Sequence, residues 1–367
     1  METIESLKKG MMMNQKKASR HTRLDGLFRY ANRLNYGDVH FKFDRATGLQ
    51  AIVAIHNLNR GPAIGGCRLI HYASSDAALE DALRLGYMMS YKAAVSNLKH
   101  GGAKAVIIKP AVIKDRRAFF EAFGDFVNEL GGRYITAMDS GTTQDDMDII
   151  ATRTPFVTCT TASGTGADPS PETALGVRRG IEAAVKFKLH KDSLEGIHVT
   201  IQGAGHVGYY LAKELKALGA RLTMCDVNQT RLQQCVDEFG VEVCLPDDIY
   251  DIQADVFAPC ALGAILNLET IKRLNVSIVA GSANNQLAHS KQGELLLERG
   301  ILYAPDFVIN AGGLIYVAAI YEHADPVKGV QQVSDIYFSC MEIFERAKRE
   351  NCATNRVAEQ IAREKIY

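Results

Sequence analysis

The chain has 367 residues, too many for one compact core, and this length favours two domains, each with its own hydrophobic interior. Its 42 basic and 42 acidic residues cancel, which removes any overall electrostatic pull toward nucleic acid and points to a small-molecule partner. Eight cysteines without a CxxC spacing give neither a disulfide framework nor a zinc site. No apolar run approaches the roughly 18 residues of a spanning helix, no signal segment follows Met11 to Met13, and the chain reads as cytoplasmic with no membrane partner.

Residues 1–24 carry Lys8, Lys9, Lys16, Lys17, Arg20 and Arg23 among few apolar positions, and read as a mobile arm or as sequence upstream of the true start. Two alternating runs, Val39 to Phe43 and Leu49 to Ile55, flank a turn-like Arg45-Ala-Thr-Gly48 and predict a hairpin, hence an antiparallel edge. Leu79, Ala82, Leu83 and Gly86 recur at helical spacing within Ala77 to Leu98, a helix expected to stop before His100-Gly-Gly102. A strand (Ala105 to Ile108), a helix (Arg116 to Leu130), a strand (Tyr134 to Ala137) and a helix (Gln144 to Ala151) then alternate as in an α/β sheet. Ser170-Pro171 predicts a helix start, with serine as the N-cap and proline in the first turn.

Beyond it, strands at 199–202, 221–226, 256–259 and 277–281, with helices at 207–218 and 229–239, predict a second, doubly wound domain of Rossmann type. Helical stretches at about 330–350 and 354–365 follow. The reading is therefore an α/β protein with an N-terminal mixed-sheet domain over 1–158 and a nucleotide domain over 159–339. The segment 340–367 is expected to pack back on the first.

Ile201-Gln-Gly203-Ala204-Gly205-His206-Val207-Gly208 follows a strand and opens a helix, the context that gives a GxGxxG match its meaning. The first glycine permits the tight turn, the second lets backbone approach a pyrophosphate, and the third lets the helix pack closely. Asp226 ends the next strand about 20 residues on, where a carboxylate accepts from ribose hydroxyls and repels a 2′-phosphate, so NAD is expected over NADP. The bland alternative is a glycine turn with a capping aspartate.

Lys92 precedes Ala93-Ala-Val95, and Lys104 stands between His100-Gly-Gly-Ala103 and Ala105-Val-Ile-Ile108. Neither has the surroundings of a solvated lysine. The ordinary reading is that Lys92 complements a helix C-terminus and Lys104 opens a strand. The functional reading has glycines 101 and 102 turning the chain close to a ligand, with the two ammonium groups together, so that desolvation and repulsion lower one of them into the range of a usable base. Asp139, at the end of an apolar strand, completes a set suited to amino acid deamination, which needs a cation for the substrate carboxylate and groups that move protons for water and ammonia.

Gly61-Pro-Ala-Ile-Gly-Gly-Cys-Arg68, Ser90-Tyr-Lys92, Gly101-Gly-Ala-Lys104, Gly132-Arg-Tyr-Ile-Thr-Ala137, Asp168-Pro-Ser-Pro171, Phe257-Ala-Pro-Cys-Ala-Leu-Gly263, Ala280-Gly-Ser-Ala-Asn-Asn-Gln-Leu287 and Ile309-Asn-Ala-Gly-Gly313 resemble the amino acid dehydrogenases of the leucine, phenylalanine, valine and glutamate type, above all the leucine dehydrogenase pattern. The resemblance covers about residues 25–367. It implies that Lys92 binds the substrate carboxylate, Lys104 is the general base, Asp139 shuttles protons, and hydride passes to nicotinamide. It further implies that Thr173 and Asn285 hold the nicotinamide end, and that Gly65, Ile64, Ala137, Leu314 and Val317 line the substrate pocket. That aliphatic lining disfavours a glutamate side chain, whose buried charge would be unpaired, and favours leucine, valine and isoleucine. The family also implies a homo-oligomer, with an octamer as one form. Met138, Ser140, Ala93 and Tyr316 depart from the family pattern.

Overall fold

The computed structural model describes residues 27–163, 168–323 and 325–367, so the arm expected over residues 1–24 lies outside the described residues. After helix α1 (Leu27–Leu34), five strands form the first sheet: β1 (Asp38–Asp44), β2 (Leu49–Asn57), β3 (Ala63–Ile70), β4 (Gly101–Ile108) and β5 (Tyr134–Met138), in the order β1-β2-β4-β3-β5. The β1-β2 hairpin and the β2-β4 pair are antiparallel, whereas β4-β3 and β3-β5 are parallel. The expected antiparallel edge is present. Helix α2 (Ser75–Val95), capped by the Ser74 hydroxyl on the Ala77 N–H, packs against β4 and β2. Helices α3 (Arg116–Glu129) and α4 (Gln144–Ala151) complete this unit, and Phe119, Phe120 and Phe123 of α3 are fully buried in its core.

The second sheet is wholly parallel, in the order β11-β10-β9-β6-β7-β8, from β6 (His198–Gln202), β7 (Arg221–Cys225), β8 (Glu242–Val243), β9 (Val256–Pro259), β10 (Ile278–Val279) and β11 (Leu302–Tyr303). It is preceded by α5 (Ser170–Leu189) and interleaved with α6 (His206–Ala217), α7 (Gln229–Phe239), α8 (Leu268–Arg273) and α9 (Gln292–Glu298). Then come α10 (Asp306–Ile309), α11 (Gly312–His323), α12 (Pro326–Ser334), α13 (Ile336–Glu350) and α14 (Thr354–Ile366). No helix among the described residues is long and apolar enough to cross a membrane.

Four local expectations need correction. β3 was not expected as a strand, yet it lies between β4 and β5. β4 begins at Gly101 rather than Ala105, so the two glycines are strand residues and not a turn. The N-cap of α5 is Pro169, not Ser170; the Asp168 carboxylate accepts the Ser170 N–H at 3.0 Å and takes over the capping role. The helix expected across 330–350 breaks at Asp335, where i to i−3 bonds (Asp335 N–H to Gln332 O at 3.2 Å, Phe338 N–H to Asp335 O at 3.0 Å) tighten the turn. Helix α13 lies on α5, with the Phe187 and Phe344 rings 5.5 Å apart. Helix α14 returns to α2: Arg363 Nε donates to Tyr91 Oη at 2.9 Å, Arg60 donates to Lys365 O at 3.1 Å, and Asn59 Nδ2 to Ile366 O at 3.0 Å.

Candidate active site

Strand register assembles the lysine site. On one face of the first sheet, Gly66 of β3 stands beside Ala137 of β5, and the β3-β4 register sets Lys104 on its other side. Two residues further along the same face come Arg68 and, just past the end of β5, Asp139. Gly66 is required here, because a Cβ at that position would sit 2.8 Å from the Asp139 Cβ. Gly102 has a comparable reason: its Cβ would lie 1.9 Å from the Ser90 nitrogen. The glycine therefore lets β4 press onto α2 two residues from Lys92, which brings the two lysine-bearing elements together.

Lys104 Nζ lies 2.6 Å from Asp139 Oδ2, and Arg68 Nε reaches the same oxygen at 3.2 Å. Burial pushes the Asp139 carboxyl up, but Lys104 and then Arg68 outweigh it and hold the group below the ordinary aspartate value. Arg68 is anchored from behind by Asp81 at 2.9 Å, and Asp81 in turn accepts from Tyr72 at 2.7 Å and from Arg84 at 3.1 Å. Among the described residues, Lys92 has no carboxylate within ion-pair distance. Burial brings its ammonium down to about 8; Asp306 opposes that fall, Lys104 adds to it and Asp139 opposes it. The lysine with the lowered pKa is thus Lys92. Lys104 is the one already paired with an anion.

Of the residues expected to line the substrate pocket, Ile64, Ala137 and Val317 are buried and Leu314 is partly so, while Gly65 packs so closely on β4 that a Cβ would meet Ala103 O at 1.8 Å. Tyr316 turns its ring onto Gly329 of α12, where an added Cβ would stand 2.7 Å from the ring.

In the second sheet, Gly203 has φ 109° and precedes α6, whose N-cap Gly205 has open space around the position a Cβ would take. That opening at a helix N-terminus suits a pyrophosphate. Gly208 is filled from the other side, since its Cβ would lie 2.0 Å from Gly203 O. Asp226 accepts the Ala204 N–H at 2.6 Å and the Asn228 N–H at 2.7 Å. It therefore ties the glycine loop to the turn after β7 and remains a candidate ribose ligand, because a carboxylate offers about four acceptor sites. His206 is exposed, 3.6 Å from Asp168, and Val207 is partly buried at the head of α6. Thr173, in the first turn of α5, donates its hydroxyl to Pro169 O at 2.9 Å. Asn285 is exposed in a left-handed conformation at φ 52°. The described residues contain no cluster able to hold a metal ion.

Two site residues had no role in the sequence reading. Arg68 lies two residues beyond Gly66 on the face of Lys104, a relation that follows only once β3 is known to be a strand. Asp306 carries no local sequence signal; only the packing of α10 against α2 brings it near Lys92.

Comparison with known proteins agrees along almost the whole chain. The family described as Glu/Leu/Phe/Val dehydrogenase, dimerisation domain, matches residues 35–155, and Glutamate/Leucine/Phenylalanine/Valine dehydrogenase matches residues 224–321. Leucine dehydrogenase of Thermoactinomyces intermedius is 47% identical over 341 residues, 93% of each chain. Phenylalanine dehydrogenase of Bacillus thermotolerans is 41% identical, over 88% of this chain and 86% of its own. The crystal structure of L-tryptophan dehydrogenase from Nostoc punctiforme superposes with a TM-score of 0.82 at 40% identity, covering 93% of this chain and 98% of that one.

Proposed function

The chain belongs to the glutamate, leucine, phenylalanine and valine dehydrogenase family of amino acid dehydrogenases, and from that premise we propose that it catalyses the reversible NAD-dependent oxidative deamination of branched-chain L-amino acids. An L-amino acid, water and oxidised cofactor give a 2-oxo acid, ammonium, reduced cofactor and a proton. When bound, the nicotinamide supplies the acceptor for the hydride from the substrate α-carbon. Residues 1–158 together with α14 form the substrate unit in this reading, and 159–339 the nucleotide unit. Thr173 and Asn285 hold the nicotinamide end, and Gly203, Ala204, Gly205, His206, Val207, Gly208 and Asp226 the adenosine side. Asp226 repels a 2′-phosphate and so selects NAD.

The carrying observation is the inequality of the two lysines. Lys104 has its anion in Asp139 at 2.6 Å, whereas Lys92 has none in contact. An incoming substrate carboxylate completes Lys92. Lys104, having passed its proton to Asp139, then takes a proton from the water that adds at the imino carbon, and Asp139 hands the proton it holds to the departing nitrogen. Gly65 and Ile64, Ala137, Leu314 and Val317 offer no cation, which disfavours a glutamate side chain and suits leucine, valine and isoleucine. The Tyr316 ring packs against Gly329 of α12. We also read the protein as a cytoplasmic homo-oligomer, an octamer being one form. The edge strand β1 supports assembly, because it leaves Phe41 and Phe43 47% and 71% exposed within the segment matched as a dimerisation domain.

The test is NADH formation with NAD or NADP against leucine, valine, isoleucine, phenylalanine, tryptophan and glutamate, with Lys104→Ala alongside. Reduction of NAD by the branched aliphatic substrates, lost in the variant, is the expected result. Preference for an aromatic substrate overturns the pocket reading, and NAD binding without turnover overturns the enzyme reading.

A further inference from the structure

We propose that Asp306 is a positioning residue joining the two halves of the site: its carboxylate fixes the loop that carries Asn285 and presents a standing negative charge to Lys92 from the second sheet. The inference rests on the reading of Lys92 as the group that receives the substrate carboxylate.

The loop needs fixing. Asn285 adopts φ 52°, a left-handed conformation unfavourable for a residue with a side chain although asparagine tolerates it best. Its carbonyl accepts the Ala264 N–H at 2.7 Å, and a Cβ on the adjoining Gly263 would stand 2.7 Å from Asn284 O, so one side of the loop is closed. On the other side the turn 306–310 grips it at both ends. Asp306 Oδ2 accepts the Gln286 N–H at 2.9 Å, while Asn310 Nδ2 donates to Ser282 O at 3.1 Å and to Asn284 Oδ1 at 2.9 Å. The second Asp306 oxygen accepts the Phe307 N–H at 2.7 Å, so both oxygens are held and the carboxylate cannot swing away.

The same α10 turn packs on α2. The charged groups acting on Lys92 come from three elements: Asp306 of α10, Lys104 of β4 and Asp139 beyond β5, with Asp306 the strongest opponent of the desolvation that neutralises the lysine. The charges of Lys92 and of Glu359 in α14 act on Asp306 without contact, and the Asp306 N–H donates to the Tyr303 hydroxyl at 3.3 Å. Burial raises its own carboxyl, while the N–H groups of Gln286 and Phe307 and the charge on Lys92 pull it back. No direct Lys92–Asp306 ion pair forms within 4 Å. That separation matters. A carboxylate in contact would satisfy the ammonium and compete with substrate, whereas one held off by its backbone bonds favours the charged lysine and leaves its contact position open.

The experiment measures KM for leucine from pH 7 to 10 together with NADH binding by fluorescence titration, in the wild type, Asp306→Asn, Asp306→Glu and Lys92→Ala. In the wild type, KM rises as pH passes about 8, where free Lys92 loses its charge. In Asp306→Asn, which still accepts one backbone N–H, the rise begins about one pH unit lower. KM at pH 8 then increases by roughly fivefold, approaching tenfold at higher pH, with NADH affinity changed by less than about threefold. Asp306→Glu restores the wild-type limb. If Lys92→Ala raises KM strongly while Asp306→Asn follows the wild type at every pH, this inference fails alone. If Lys92→Ala leaves KM unchanged, the reading of Lys92 fails and the inference falls with it. A uniform loss at all pH values accompanied by lost NADH binding reduces Asp306 to a purely structural brace. Asp306→Ser provides a second neutral variant should asparagine unfold the chain, as judged by thermal melting.

Discussion

Replacing Arg68 with methionine removes one of the two cations on Asp139 while leaving Lys104 in place. The Arg68 and Asp139 side chains are 23% and 20% exposed, and their contact is 3.2 Å. Unit charges about 4 Å apart interact by about 4 kcal/mol at the effective dielectric typical of proteins, and residual solvent together with the remaining Lys104 reduces the part lost to roughly 1–3 kcal/mol. At about 1.4 kcal/mol per unit, that raises the proton affinity of the Lys104–Asp139 pair as a whole by about one to two pH units. The sign is upward, since removing a positive charge makes a proton easier to hold on the lysine–aspartate pair. The acid limb of log kcat/KM against pH, measured for leucine between pH 6 and 11, should therefore rise by the same one to two units. Above it the plateau should return to within a few-fold of the wild type, because Lys104 is intact. An unmoved limb with a uniform loss at every pH would refute the electrostatic role and leave Arg68 as packing. Arg68→Lys, which keeps the charge but not the two-way reach to Asp81, should shift the limb by less.

Three further outcomes are expected. Gly102→Ala drives a methyl into the Ser90 backbone, where the predicted contact is 1.9 Å; overpacking by about 1–3 kcal/mol should lower the melting temperature by several degrees, and parting β4 from α2 should cut kcat/KM at least about a hundredfold. A melt and turnover matching the wild type would show that the strand yields freely. Asp226→Ser should narrow the preference of kcat/KM for NAD over NADP by at least about tenfold, with some loss of stability as the Ala204 and Asn228 N–H groups lose their acceptor; an unchanged preference leaves Asp226 with the bracing of these two loops alone. Phe41→Asp with Phe43→Asp should reduce the solution mass measured by light scattering, and an unaltered mass would move the interface away from β1.

The nucleotide half was legible because each mark had a local cause: three glycines in register after a strand, and an acid at the end of the next. Lys92 and Lys104 were legible through their apolar neighbours alone. What failed was inference from glycine as a breaker. Gly101 and Gly102 resemble a turn in any sequence window, yet they are strand residues whose missing side chains admit Ser90 and Asn57, atoms 12 and 44 positions away along the chain. Strand β3 was hidden for the same reason, since Gly65 and Gly66 weaken a β pattern while serving Ala103 and Asp139. The break at Asp335 has neither glycine nor proline to announce it. Asp306 could not be found without the fold, because its partners, Gln286 and Lys92, belong to different units.

Helix α14 sets a timetable for synthesis. The bonds from Asn59 to Ile366 and from Arg60 to Lys365 span 307 and 305 positions, and Tyr91, next to Lys92, waits equally for Arg363. At roughly 5–20 residues per second, the first sheet is complete on the order of 10–45 s before the helix that covers α2 exists. During that interval the nucleotide unit can fold, but α2 lacks its outer cover. A nascent or prematurely ended chain would thus bind cofactor before it could handle an amino acid, and its exposed α2 surface would mark it for chaperones.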